Sequence, residues 1–194
     1  MILTIQKIDP NFLYDNVYTN IMATFSHETF ITHDDWTTPK HAWQDIAHLI
    51  PKGKIWEAFY GEGKSGQYLR ELGFETIHEP INFFDDSTRP DYEVLVSNPP
   101  FSQAAAILKK LVQIDKPFIL LMPCSKICCK YTRDTFKNKL QVIIPPKRIK
   151  FTKLVNKEAV KNYQSAPNFD CFYYCYKINL PRDLLHIDSW REAS

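Results

Sequence analysis

Short apolar runs alternate with amphipathic stretches along most of the chain. KIWEAF (54–59), FETIHE (74–79), DYEVLVS (91–97), PFILLMP (117–123), LQVII (140–144) and DCFYYCYKI (170–178) have the length and aromatic or branched content of strands. Between them, QYLRELG stops at Gly73, the stretch 103–113 has an apolar helical face, and KICCKYTRDTFKN reads as a further helix. Ahead of the first strand, TTPKHAWQDIAHLI (37–50) predicts a helix with a Thr cap candidate and Pro39 near its first turn. Ala42, Ile46, Leu49 and Ile50 share one face of it. Strands alternating with helices predict βαβ units and a mainly parallel, doubly wound α/β sheet. Residues 11–32 show no clean period. The reading is an extension at 1–33, one domain at 34–180 and a tail at 181–194.

Length supports this, since 194 residues bury one sizeable core rather than two. No apolar run approaches a membrane span, and the N-terminus lacks the pattern of a signal peptide. Five cysteines, an odd count, predict free thiols in a cytoplasmic or other reducing intracellular compartment. The three-residue gaps between Cys124 and Cys128 and between Cys171 and Cys175 are not zinc-knuckle spacings, so no metal is expected.

Charge changes the picture. The net value is only +2, but residues 1–99 carry 7 basic and 15 acidic side chains, and residues 100–194 carry 17 and 7. In 126–161 there are 11 basic residues against 2 acidic ones. Such an excess beside aromatics suits a polyanion better than it suits a plain solvated face. Within the segment, Lys147, Arg148, Lys150, Phe151, Lys153, Lys157, Lys161 and Tyr163 are candidates for gripping a backbone and stacking on a base.

Two strand ends carry candidate chemistry. EAFYGEGKSG (57–66) runs from a strand through Gly61 and Gly63 into a helix, and lacks the spacing of a phosphate loop. Its acids, Glu57 and Glu62, suit a ligand bearing an amino group or positive charge; a tight βα turn needs the same glycines. Glu79, at the next strand end, is placed for ribose hydroxyls, with Asn82 and Phe83 available to an adenine. The other strand end is SNPPFS (97–102). Two prolines lack N–H groups and fix φ, so the turn is rigid.

Asn98-Pro99-Pro100-Phe101, following EAFYGEG and the Thr-Pro element DDWTTP (34–39), resembles the S-adenosylmethionine-dependent adenine-N6 methyltransferases, and in particular the compact phage and virus members. IIPPKRIKF and APNFDCFYYCY add to the likeness, which covers roughly residues 34–178. It implies a class I methyltransferase sheet, Rossmann-like and seven-stranded, with an antiparallel last strand. It implies S-adenosyl-L-methionine as cofactor, held by Trp36, Thr37, Thr38, Pro39, Glu57, Phe59, Gly61, Gly63, Glu79, Asn82 and Phe83. Asn98, Pro99, Pro100 and Phe101 become the catalytic set. The partner is nucleic acid, DNA or RNA, met by Lys147, Arg148, Lys150, Phe151, Lys153 and Tyr163.

The chemistry matches these residue types. The adenine amine is a poor nucleophile because its lone pair is delocalised. Acceptors at the Asn98 side chain and Pro99 carbonyl can hold its N–H bonds and turn the lone pair toward a methyl group, while Phe101 stacks on the base. A duplex base must be flipped out to enter. No large target-recognition domain is evident, which leaves low specificity, a structured or single-stranded RNA, or a partner: a specificity subunit or a second copy of the chain. A protein glutamine methyltransferase and a non-catalytic binding subunit are the alternatives. Phe101, where the glutamine enzymes usually carry Tyr, and the basic half count against the former.

Overall fold

The described residues of this computed structural model are 36–155, 158–159 and 169–189, with 153–155 and 158–159 described as backbone only. The expectations for residues 1–33 and for Lys157, Lys161 and Tyr163 fall outside them. Ten strands are described: β1 (Trp36–Thr37), β2 (Ile55–Trp56), β3 (Thr76–Ile77), β4 (Val94–Ser97), β5 (Phe118–Pro123), β6 (Leu140–Ile144), β7 (Thr152–Val155), β8 (Glu158–Ala159), β9 (Cys171–Tyr176) and β10 (Leu184–His186). The helices are α1 (Lys40–Ile46), α2 (Lys64–Glu71), α3 (Ala104–Ile114) and α4 (Lys130–Phe136).

Seven strands form the main sheet in the order β10-β6-β9-β5-β4-β2-β3. β2, β3, β4 and β5 run parallel, β9 is antiparallel to both of its neighbours, and β6 pairs in parallel with β10. This is the doubly wound, mainly parallel sheet expected, with one difference. The strand that completes the seven is β10, which lies within the stretch read as a tail. Leu184 and His186 are exposed there, so no apolar run announced it. Its backbone pairing with β6, from Leu184↔Val142 to His186↔Ile144, makes it an edge strand.

The period-two pattern of the central strands builds both layers. Val94, Val96, Ile119, Leu121, Tyr173 and Cys175 face one side, with Trp43 and Ile46 of α1 and Leu69 of α2. Leu95, Phe118, Leu120, Met122, Tyr174 and Tyr176 face the other, with Ile107, Leu108 and Leu111 of α3 and Phe136 of α4. Each fully buried side chain of this size contributes about 1.5–3 kcal/mol. Two tyrosines add fixed hydrogen bonds. Tyr173 donates to the Ala42 carbonyl (2.6 Å), tying α1 to the sheet, and Tyr174 donates to the Pro123 carbonyl (2.8 Å). Burial raises the Cys171 and Cys175 thiols well above the ordinary range, which makes them packing groups rather than nucleophiles.

The remaining strands form a small second sheet, β1-β7-β8. Trp36 pairs with Lys153 and Thr37 with Thr152, antiparallel. The Thr-Pro element and the basic segment, far apart in sequence, thus share a ladder.

Candidate functional site

The strand order reverses between β2 and β4. The chain leaves β2 for β3 on one side and returns as β4 on the other, and such a reversal opens a crevice at the carboxyl ends. The glycine loop leaves β2 and the SNPPF turn leaves β4. Topology therefore brings both motifs to the ends of neighbouring strands.

Gly61 (φ 53°) and Gly63 (φ 86°) both take left-handed conformations that side chains disfavour. The Gly63 N–H donates to the Tyr60 carbonyl (2.9 Å), which closes the turn before α2. Among the described residues, a Cβ on Gly61 would meet only the Phe59 carbonyl oxygen, 3.8 Å away, which leaves that side of the loop open to them.

Beneath the loop lies a network the sequence did not announce. The Glu57 and His78 side chains are each 1% exposed, and Oε2 lies 2.5 Å from Nε2, though poorly aligned for a hydrogen bond. The buried Ser97 hydroxyl donates to Glu57 Oε1. The ends of β2, β3 and β4 are therefore joined through one carboxylate. Gly66, inside α2, completes the seat, since a Cβ there would overlap the His78 ring. Tyr60 covers that ring with centroids 4.7 Å apart. A glycine inside a helix costs about 1 kcal/mol relative to alanine, and the imidazole explains it here.

Two of the expected cofactor residues are enclosed by their own neighbours. Glu57 stands between Ser97 and His78, where it supports the loop. Phe83 is 1% exposed and packs on Trp56, Phe59 and Phe84, so its ring offers no free face to an adenine. Phe59 is half-buried in the same aromatic group. Asn82 Oδ1 accepts the Phe84 N–H (3.0 Å), which makes that oxygen a turn-former. Glu79 is exposed just beyond β3, and Glu62 keeps one buried carboxylate oxygen, Oε1, without a hydrogen-bond partner.

The SNPPF turn is built differently. Pro99 is buried, Pro100 has φ −63° and ψ 117°, and a 3₁₀ turn at Phe101–Gln103 closes with the Gln103 N–H donating to the Pro100 carbonyl (3.1 Å). The side-chain oxygen of Asn98 is buried without a hydrogen-bond partner, and so is that of Gln103. A buried polar atom left in this state typically costs about 1–3 kcal/mol. Phe101 is half-buried and meets Phe169 edge to face at 5.4 Å. Phe169 and Gln103 adjoin this turn, and neither stood out as a candidate in the sequence.

At the Thr-Pro element, Trp36 packs against the core, Thr38 is 2% exposed, and Pro39 precedes α1, accepting the Ala42 N–H at 3.0 Å. The expected Thr cap is absent, because the capping position is Pro39, without a side-chain bond. The Thr37 and Thr38 hydroxyls and His41 Nε2 are instead buried without hydrogen-bond partners. Burial holds His41 below its ordinary pKa, Asp45 works against this, and Lys147 adds to it. In the basic segment, Lys147, Arg148 and Lys150 are exposed while Ile149 and Phe151 point inward. Arg148 Nε lies 3.3 Å from Asp170 Oδ1. Phe151, expected to stack on a base, is 9% exposed and joins the core, 6.4 Å from Phe169. It anchors the segment instead. Lys153 is placed by its backbone opposite Trp36.

No family model matches the chain, and no characterised protein matches it in sequence. Among solved structures, it is similar to an S-adenosylmethionine-dependent O-methyltransferase from Thermotoga maritima (10% identity, TM-score 0.41, 84% of this chain and 71% of that one). It is also similar to a TehB-like S-adenosylmethionine-dependent methyltransferase from Corynebacterium glutamicum (13%, 0.38, 87% and 98%). A third is TehB from Haemophilus influenzae (12%, 0.38, 68%), of which the chain spans 59%. These are distant likenesses, and the fold rests on the strand order itself. Among the described residues, no helix is long and apolar enough to cross a membrane, and no three His, Cys, Asp or Glu side chains gather as metal ligands.

Proposed function

We propose that the chain moves a methyl group from S-adenosylmethionine to the exocyclic amine of adenine in nucleic acid, with DNA the favoured substrate and RNA the other. One observation carries this reading. Asn98, at the end of β4 and locked by two prolines, keeps a buried amide oxygen without a partner. An acceptor held so is suited to an N–H brought by a ligand.

The surrounding residues fit the cofactor. The open side of Gly61 admits a close approach, Glu62 Oε1 offers an acceptor to an ammonium, and Glu79 is exposed at the next strand end for hydroxyls. S-adenosylmethionine supplies an electrophilic methyl on a sulfonium that leaves as a neutral thioether. The chain's own groups would do the rest. Asn98 Oδ1 and the Pro99 carbonyl accept the two amine N–H bonds and orient the nitrogen lone pair. Phe101, backed by Phe169, supports the base. The amine gives up a proton as its new N–C bond forms, and it is acidic enough at that stage to lose it to water. Orientation and electrostatics supply the rate, without a dedicated base. Lys147, Arg148 and Lys150 would hold phosphates, which positions the strand without specifying its sequence.

Labelled methyl transfer to DNA, RNA and protein, measured side by side, tests the reading. Label at adenine N6 supports it. Label on a protein glutamine would replace it with the protein-modifying alternative. Nucleic-acid binding without transfer would leave a non-catalytic subunit.

A further inference from the structure

The SNPPF turn carries a second amide, and its environment is unusual. Gln103 is the residue that caps α3, with φ −105° and ψ 11°, yet its side chain makes no cap hydrogen bond. Free N–H groups at the start of that helix are the usual partners for a side-chain oxygen in this position. Gln103 Oε1 is instead buried and unpartnered, like Asn98 Oδ1. The two residues bracket the di-proline, and the Gln103 N–H bond to the Pro100 carbonyl (3.1 Å) fixes its backbone one turn from that rigid unit. One turn therefore presents two carboxamides whose oxygens the protein leaves unused.

We propose that Gln103 is a specificity-determining residue that reads the Hoogsteen edge of the target adenine. The inference rests on the methyl-transfer reading above and extends it. A carboxamide presents an acceptor and a donor side by side. Adenine presents the matching pair, an N6–H donor beside the N7 acceptor, and this two-point match is the standard way a Gln or Asn side chain recognises adenine. Division of labour follows. Asn98 and the Pro99 carbonyl orient the amine for attack. Gln103 Nε2 donates to N7, while its Oε1 shares the N6–H on that edge with Asn98 Oδ1 in a three-centre hydrogen bond, and this favours adenine over cytosine. Cytosine also carries an exocyclic amine but has a C–H where adenine offers N7.

The test removes each partner separately. Methyl transfer is measured for the parental protein, Gln103→Leu and Gln103→Glu, on single-stranded oligonucleotides containing one adenine or one 7-deazaadenine. The parental protein should lose about tenfold to a hundredfold in kcat/KM when N7 is replaced by C–H, the scale of one good bidentate contact. Gln103→Leu should show a comparable loss on adenine and little further loss on 7-deazaadenine. Gln103→Glu keeps the side-chain shape but lacks the N–H donor, and should behave likewise; it guards against a packing fault at Leu. Unchanged S-adenosylmethionine binding and thermal unfolding in either variant would separate recognition from folding. Transfer to adenine with the same 7-deaza sensitivity in parental and variant proteins overturns this inference alone. Absence of adenine transfer by the parental protein overturns the methyl-transfer reading, and this inference with it.

Discussion

Two neighbouring groups of buried polar atoms are arranged differently. Under the glycine loop, Ser97 donates to Glu57 Oε1, and Glu57 Oε2 lies 2.5 Å from His78 Nε2, a close contact without hydrogen-bond alignment. At the β4 end, Asn98 and Gln103 keep buried oxygens unpartnered. Burial alone does not distinguish a scaffold from a site, since both groups are inside. The neighbours do: Glu57 and His78 stand against each other's polar atoms and seat the loop, whereas the unpartnered Asn98 and Gln103 oxygens cost stability that a ligand can return.

The largest effect should fall under the glycine loop. Glu57→Ala leaves His78 and Ser97 buried without their shared neighbour, and each buried polar group left unpaired costs about 1–3 kcal/mol. Urea unfolding should show this. A loss below about 1 kcal/mol would mean that the network does not hold the loop. Asn98→Ala should do the reverse. Turnover should fall about a hundredfold to a thousandfold, the usual effect of removing one preorganised partner, with stability equal or slightly higher because an unsatisfied oxygen is gone. Parental turnover in that variant would erase the contrast between the two strand ends.

Phe101→Ala comes next. It removes base stacking worth about 1–3 kcal/mol, so oligonucleotide binding should weaken along with rate while S-adenosylmethionine affinity holds. An effect confined to the melting temperature would make Phe101 a core residue, like Phe83 and Phe151. The smallest change per residue belongs to the exposed segment. Replacing Lys147, Arg148 and Lys150 together with Ala should lower the salt slope of binding by about one for each phosphate no longer neutralised, for all sequences alike. An unchanged slope would move the nucleic-acid surface elsewhere.

How much of this could be read from the chain depends on range. Strand and helix alternation was legible because each element repeats its own period, and the central runs such as PFILLMP are buried on both faces. The sites of Gly61, Gly63 and the SNPPF turn were legible for the same local reason, since glycine and proline restrict or release the backbone where they stand. β10 was not, because a three-residue edge strand with two exposed side chains is held by its neighbour's backbone rather than by its own pattern. Gly66 gave a signal, a glycine inside a helix, but its reason lies in His78 at the end of another strand.

By itself, then, the order of residues determined the central strands and their helices, the strand ends that carry turns of special geometry, and the division of charge between the two halves. Tertiary structure decided which of the candidate groups are available. It enclosed Glu57, buried Phe83 and Phe151, left Asn98 and Gln103 open, and paired Trp36 with Lys153 across more than a hundred residues of chain. The physical reason is that backbone preference is set by a residue and its neighbours, while desolvation and hydrogen-bond satisfaction are set by whatever the fold brings alongside.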